Sequence, residues 1–148
     1  MKYSIYDIAN WFLNREPMTL KKLQKLCYYA KAWSTVFFND MRLNCSFQAW
    51  AHGAVNTDLA RKFRGYEWYN IDSDALRFRA KKLDEETKNF LESVWVTYGE
   101  YSGIQLENLI RSELPWKNAR RGCGELEPCD KIISEEDMKV YYTSMYLG

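Results

Sequence analysis

Residues 19–37 read TLKKLQKLCYYAKAWSTVF, and this stretch decides the fold. At helical spacing its side chains divide into two faces. The apolar face consists of Leu20, Leu23, Leu26, Cys27, Ala30, Trp33 and Phe37. The opposite face consists of Lys21, Gln24, Lys25, Tyr28 and Lys31. Thr19 stands where a residue that caps the helix is expected. We expect the apolar face to be buried, and the face that mixes a tyrosine with lysines to be a protein contact surface.

Start signals for further helices lie on both sides of this stretch. Capping-box patterns occur at Ser4 with Asp7 and at Ser102 with Gln105. Further helix starts are predicted at Asn56 or Thr57, Asp84, Pro115 and Ser134. A weak alternation over residues 47–51, followed by the turn pair His52-Gly53, predicts a short strand. The sequence therefore predicts a mainly α, compact fold of about six or seven helices, and it allows one short β-hairpin.

Length and composition fit one domain over residues 1–148. The chain is 47% hydrophobic and 16% aromatic, which is enough to form a core. It contains no internal repeat and no linker long enough to divide it. The formal net charge of +1 gives no overall attraction to nucleic acid. No apolar run is long enough to span a bilayer, and the stretch that begins at Met1 lacks the apolar core of a signal peptide. We expect a cytoplasmic protein that does not enter the membrane.

Cysteine and histidine give little support for metal binding or catalysis. The four cysteines, Cys27, Cys45, Cys123 and Cys129, have no zinc-site spacing, and we interpret them as free thiols. A metal site built from Cys45, His52, Cys123 and Cys129 is an alternative with weak spacing evidence. His52 is the only histidine, so a Cys-His or Ser-His dyad would have to use it. We expect no metal, no cofactor and no enzymatic activity.

The chain has two basic regions, and the first offers a local argument for binding nucleic acid. Arg111, Lys117, Arg120 and Arg121 lie near Trp116, and aromatic rings beside cations can stack bases. Acidic residues dilute this region, and Trp116 after Pro115 is typical of a buried anchor at a helix start. The second region, residues 77–82, is typical of a solvated surface. Binding of nucleic acid is therefore ranked below binding of protein.

Several short words, in this order and spacing, resemble the Panacea domain. The words are LQKLCYYAKAW at 23–33, AWAHGAV at 49–55, GY at 65–66, LDEE at 83–86, YGEYSG at 98–103, PWKNAR at 115–120, ISEED at 133–137 and YY at 141–142. This antitoxin domain is also met in phage-associated GepA-like and SocA-like proteins. Two departures stand out. Ala54 replaces a usual proline, and Ile110-Arg111 stands where Thr-His is frequent.

The resemblance implies a member of a two-gene toxin–antitoxin system. Such domains bind and neutralise a cognate toxin, and the SocA-like member acts as an adaptor that delivers its toxin to the ClpXP protease. No catalytic residues come with the family. The first hypothesis is therefore an antitoxin-like protein that acts by direct binding. The alternatives are a proteolytic adaptor for a host protease of the ClpXP type, a phage anti-defence binding protein and, last, a hydrolase that uses His52.

The residues expected to touch the partner come from the helix of residues 19–37, the predicted turn and the PWKNAR word. They are Lys21, Gln24, Lys25, Tyr28, Trp50, His52 and Arg120. Two alternatives stay open for members of this set. Trp50 fits core packing as well as it fits a contact surface. Gln24 and Lys25 could instead tie their helix to the His52-Gly53 turn.

Overall fold

The computed structural model describes residues 2–148 and leaves Met1, the first residue of the N-terminal stretch considered above, outside the description. Residues 2–148 form seven helices and one antiparallel hairpin, which confirms the predicted mainly α fold. The elements are α1 (Ile5–Leu13), α2 (Leu20–Phe37), β1 (Gln48–Trp50), β2 (Gly53–Val55), α3 (Thr57–Lys62), α4 (Glu85–Tyr98), α5 (Gly103–Arg111), α6 (Leu114–Ala119) and α7 (Glu135–Leu147). Within residues 2–148 no helix has the length and apolar character needed to cross a membrane.

The helices begin where their capping residues predict. Ser4 with Asp7 and Ser102 with Gln105 both form complete capping boxes, in which side chain and backbone are bonded reciprocally. The caps of the remaining long helices are also confirmed: Thr19 caps α2, Asp84 caps α4 and Ser134 caps α7. Of the two candidates for α3, Asn56 is the cap. These starts were predictable because a cap depends on residues only three positions apart.

Helix α2 lies at the centre of the molecule, and the prediction that it has one exposed face is wrong. Helices α1, α4, α5 and α7 and strand β2 all pack against it. Gln24 is only 2% exposed and Lys25 only 3%, while Tyr28 and Lys31 are buried as completely. Among the predicted contact residues of α2, only Lys21 is exposed. A helix surrounded on all sides must bury its polar side chains with its apolar ones.

Several polar side chains inside this core are hydrogen-bonded to one another or to the backbone. The hydroxyls of Tyr29 and Tyr142 both donate to Glu113 Oε1 at 2.8 Å. The hydroxyls of Tyr28 and Tyr142 lie 3.2 Å apart. Lys31 Nζ donates to the Leu43 carbonyl at 2.7 Å. Burial raises the pKa of the Glu113 carboxyl above its ordinary value. This network ties α2 to α7 and to the residue that precedes α6.

The hairpin packs on α2 through its tight turn. Trp50 pairs with Gly53 in the antiparallel register, and Ala51 and His52 form the tip. The other side of β1 is bonded to residues 131–133, so β1 has a backbone partner on both sides. Gly53 has a φ of +111°, and a Cβ atom added there would lie 2.9 Å from Lys25 Cε. Glycine is therefore required at this position for its backbone conformation and for the close approach of Lys25.

Comparison with Gly65 separates these two requirements. Gly65 also has a positive φ, +95°, but a Cβ atom there would have open space around it. Gly65→Ala should cost about 1–2 kcal/mol of unfolding free energy through backbone strain alone. Gly53→Ala should cost more than Gly65→Ala, because the buried end of the Lys25 side chain must also shift. Chemical denaturation of both variants measures this difference, and equal losses would contradict a close contact between Gly53 and Lys25.

Candidate partner-binding site

Three of the predicted contact residues meet at the surface around the hairpin tip. The Trp50 side chain is 40% exposed, and the His52 side chain is 72% exposed. Lys21, in the first turn of α2, is also exposed. Trp50 therefore fits both open alternatives in part, because the protein covers part of its side chain and the rest is accessible. Its indole Nε1 donates to Gln48 Oε1 at 2.8 Å. An exposed, hydrogen-bonded indole is suited to protein contact.

Glu107 of α5 links the charged members of this group. Its Oε1 atom lies 2.8 Å from Lys21 Nζ, and its Oε2 atom lies 3.8 Å from His52 Nδ1. The Glu107 side chain is itself almost buried. A single carboxylate therefore pairs with Lys21 and lies close to His52, so both exposed side chains gather around it at the hairpin tip.

Lys25 lies directly beneath this tip. Burial lowers the pKa of its ammonium group from 10.5 to about 8, and the nearby Glu107 carboxylate opposes part of that shift. Its side chain passes under Gly53 and fills the space that the glycine leaves. Lys25 therefore supports the turn from inside the molecule and is not accessible to a partner.

Gln24 fixes the other end of β2. Its side-chain amide donates to the Asn56 carbonyl at 2.9 Å, and its Oε1 atom accepts from the Asn56 N–H at 2.8 Å. Both hydrogen bonds are buried. The alternative in which Gln24 and Lys25 tie α2 to the turn is the one that agrees with the structure. Tyr28, buried in the tyrosine network, also lies below the surface.

Arg120 has a structural position as well, and its burial does not agree with the prediction that it touches the partner. Its guanidinium donates to the Ala49 carbonyl in β1 at 2.8 Å. The same group donates to the carbonyls of Gly124, Glu125 and Glu127, at 2.8, 3.3 and 2.6 Å respectively. Arg120 is buried because five fixed donors suit a cluster of backbone carbonyls. It ties the loop of residues 122–127 to the hairpin.

Trp116 acts as the second anchor of the hairpin from α6. The ring is buried, and its Nε1 atom donates to the Trp50 carbonyl at 2.9 Å. This confirms the interpretation of Trp116 as a buried anchor at a helix start. The cationic side chains near it, Arg111 and Arg120, lie over its ring at 5.6 and 5.1 Å. Because the ring is buried, it is not available to stack a base.

A depression of about 670 Å³ opens beside Trp50. Its walls come from the hairpin and from the loop that Arg120 holds, and they include Trp50, His52, Val55, Leu126, Pro128 and Cys129. Leu126 is exposed, and sequence analysis missed it. The sequence does contain a signal for it, because Leu126 stands between two glutamates in a polar loop. We call Lys21, Trp50, His52, Leu126 and Pro128 the hairpin surface.

A second exposed feature, also missed, is an aromatic groove between α2, α4 and α7. Its rings are Trp33, Phe37, Phe38, Phe90, Tyr98 and Tyr146. The Phe37 and Tyr146 ring centroids lie 5.1 Å apart, and both rings are exposed. The sequence places Phe37 on the apolar face of α2, which is predicted to be buried. It is exposed because it is the last residue of α2, beyond most of the elements that surround this helix.

The surroundings of Cys45 do not activate it as a partner for His52. All four cysteines are free thiols, and within residues 2–148 no three or more histidine, cysteine or acidic side chains form a group that could hold a metal ion. Burial raises the pKa of the Cys45 thiol from 9.0 to about 12, while Lys31 opposes and Glu135 adds to that shift. A thiol with so high a pKa is a poor nucleophile at neutral pH.

Comparison with known proteins assigns the chain to a family. The model of the family described as Antitoxin SocA-like, Panacea domain, matches residues 23–117. The chain belongs to this family. The matched region contains the hairpin, most of α2 and the buried anchor Trp116, while Arg120 and α7 follow it. No curated protein and no solved structure matches the chain.

The buried position of Lys25 predicts a measurable pH dependence. The pKa of the Lys25 ammonium group is about 8 in the folded protein and ordinarily 10.5. The unfolded chain therefore binds the proton of this group more tightly than the folded protein does. The unfavourable contribution of Lys25 to stability should therefore shrink as the pH rises from about 8 to about 10, by up to about 3 kcal/mol. Lys25→Met has no such proton, and its stability relative to the wild type should fall by that amount over the same interval.

The measurement is denaturant unfolding of both proteins at several pH values. Taking the difference between them removes the contribution of the buried tyrosines, which is common to both. Lys117→Met, at an exposed position on α6, is the matched control and should run parallel to the wild type at every pH. Parallel curves for Lys25→Met would show that Lys25 keeps an ordinary pKa when the protein is folded.

Proposed function

We propose that this protein neutralises a cognate toxin by binding it directly, and that the hairpin surface makes the contact. Membership of the antitoxin family supports the first part. The second part rests on one observation, the rigid support of an exposed indole. Trp50 projects from the end of β1, and the backbone of the hairpin is bonded to Trp116, to Arg120 and, through the following Asn56, to Gln24.

Rigid support matters because binding has an entropic cost. A side chain that must be ordered during association loses about 0.5–1.5 kcal/mol of binding free energy. The Trp50 indole is already bonded to Gln48, and the strand that carries it has a backbone partner on each side. Tryptophan is also one of the residue types enriched among the energetically dominant residues at the centre of protein interfaces.

The rim of the hairpin surface supplies specificity. Lys21 and His52 lie on one side, while Leu126 and Pro128 form the apolar side. A complementary toxin surface would place a carboxylate or a carbonyl near Lys21 and an apolar side chain in the depression. In this proposal the buried residues Gln24, Lys25, Tyr28 and Arg120 hold the surface in place and do not touch the toxin.

The proposal describes a protein without catalytic activity that works in the cytoplasm, with residues 1–148 acting as one domain. Family membership supports a non-catalytic role. The raised pKa of the Cys45 thiol supports it further, because it makes that thiol a poor nucleophile for a dyad with His52. A single core that contains residues from Tyr3 to Tyr142 supports the action of the chain as one domain.

The first experiment is co-expression with the protein encoded by the adjacent reading frame. That protein alone should stop growth, and this chain should restore growth and co-purify with the toxin. A neighbour that is harmless alone, or a toxicity that this chain leaves unchanged, would end the antitoxin proposal.

Trp50→Ala should weaken toxin binding about 30-fold, the loss typical of a central interface tryptophan. The fold should be unaffected, because the Trp50 carbonyl that accepts from Trp116 is retained. Phe37→Ser, which removes an equally exposed ring from the aromatic groove, is the matched control and should leave the affinity within about threefold of the wild type. Calorimetry on the purified pair measures both values. The opposite ranking would move the contact from the hairpin surface to the aromatic groove.

His52→Ala distinguishes binding from hydrolysis. A contact residue on the rim should cost only a few-fold in affinity, and higher expression of the variant should restore neutralisation by mass action. A catalytic histidine would cost orders of magnitude in rate, and more protein would restore little. Growth at graded induction levels separates these outcomes.

Neutralisation by simple blocking and delivery to a protease would use the same surface. The half-life of the toxin, measured with and without this chain, distinguishes them. Blocking leaves the half-life unchanged or longer, whereas an adaptor shortens it, and the shortening disappears in a strain that lacks the ClpXP-type protease. We propose blocking as the mechanism.

A further inference from the structure

The segment between α3 and α4 carries the most exposed rings of the described chain. Trp68 is 90% exposed and Phe78 is 89% exposed. The segment is nevertheless attached to the core, because Ile71 and Leu76 are buried in it. Ile71 and Met18 also exchange two backbone hydrogen bonds, of 2.7 and 3.4 Å. The exposed rings therefore stand on an attached segment and are not part of a loose tail.

Residues 77–82 read RFRAKK, and we call them the basic stretch. All four of its cations are exposed. Among residues 2–148, Arg79, Lys81 and Lys82 have no ion-pair partner, and Arg77 lies 3.5 Å from Asp74. Lys81 Nζ donates to the carbonyl of Lys2, which brings a further exposed cation to the stretch. Most of these charges are therefore not neutralised within the described residues, although the chain as a whole carries only +1.

The basic stretch is short and is bounded by acidic residues. Asp72 and Asp74 precede it, and residues 84–86 read DEE. Its positive potential therefore ends after a few residues in either direction along the chain. A continuous phosphate backbone would run on from the cations to the carboxylates and be repelled. A short anionic ligand, whose charge ends where that of the basic stretch does, avoids this repulsion.

Because of Phe78, a ligand of the basic stretch needs an apolar group as well as negative charge. The Arg77 guanidinium covers one face of its ring, with its central carbon 4.7 Å from the ring centroid. The other atoms of the ring remain accessible, as the high exposure of Phe78 requires. A ligand that satisfied the whole stretch would carry carboxylates for the cations and an apolar side chain for this ring. Acidic polypeptide segments combine both groups.

We infer that the basic stretch binds a short acidic segment of a partner protein, in which an apolar side chain stands beside the carboxylates. The inference rests on the proposed function for the identity of the partner, since the segment would belong to the toxin. Carboxylates would pair with Arg79, Lys81 and Lys82, and the apolar side chain would pack on Phe78. This would be a second contact with the toxin, separate in chemistry from the hairpin surface.

The test uses a fluorescein-labelled synthetic peptide that alternates glutamate with leucine or phenylalanine. The wild-type protein should bind it with an affinity that falls as salt is added. Arg79→Glu combined with Lys82→Glu should weaken binding at least about tenfold and flatten the salt dependence. Phe78→Ser should weaken binding by about tenfold and leave the salt dependence unchanged. Fluorescence anisotropy measures all of these values.

The matched control reverses two exposed lysines elsewhere, Lys117→Glu with Lys139→Glu, and changes the net charge by the same amount. It should leave the peptide affinity within about twofold of the wild type, since distant exposed charges are largely screened. Three results would overturn the inference: no binding of the peptide, an equal loss in the control, or tighter binding of an oligothymidylate than of the peptide.

These outcomes are distinguishable from failure of the proposed function. Neutralisation of the toxin by the wild-type chain without peptide binding overturns the inference alone. Peptide binding with the expected losses, in a chain that neutralises no toxin, overturns the proposed function and keeps the basic stretch as a site for acidic segments. When both hold, the variant with Arg79→Glu and Lys82→Glu should also weaken toxin binding by at least about tenfold.

Discussion

The rest of the structure depends on the enclosure of α2. Because four helices and a strand pack against this helix, its polar side chains must find hydrogen-bond partners inside the protein. An unpaired buried amide costs about 1–3 kcal/mol. Gln24 avoids this cost by bonding the N–H and the carbonyl of Asn56 at once, and this choice of partner fixes β2 against the helix. The need to satisfy buried polar atoms therefore decides where the hairpin lies.

The hairpin is then held from two directions. Gln24 and Lys25 approach it from α2, while Trp116 and Arg120 approach it from α6 and the residue that follows. The atoms that these residues contact are mostly backbone atoms, so the hairpin is positioned without using its own side chains. The side chains of the tip are thereby left for other contacts. A fold in which buried polar residues bond the backbone of a turn can present that turn rigidly at little cost to the core.

The helix starts of this protein could be predicted from its sequence, but the enclosure of α2 by other elements could not. The caps at Ser4, Thr19, Asp84, Ser102 and Ser134 depend on residues three positions apart, and all were placed correctly. The burial of Lys25 and Tyr28 depends instead on elements remote in the chain, such as α5 and α7. A helical wheel treats lysine and glutamine as surface residues, and it has no information about how many neighbours surround the helix. The same limit hid Leu126, whose importance depends on its position beside Trp50.

Near-neutral net charge and strong local charge have different consequences for binding. A chain with a formal charge of +1 is not steered as a whole towards an anionic partner, but a local cluster of cations such as the basic stretch produces a field close to the surface. Such a field mainly raises the rate at which the two proteins associate, and this effect weakens as salt is added. The apolar depression beside Trp50 would act later, through burial of area, and would mainly slow dissociation. Two surfaces of unlike chemistry can therefore contribute to one complex at different stages, because only the first acts at a distance.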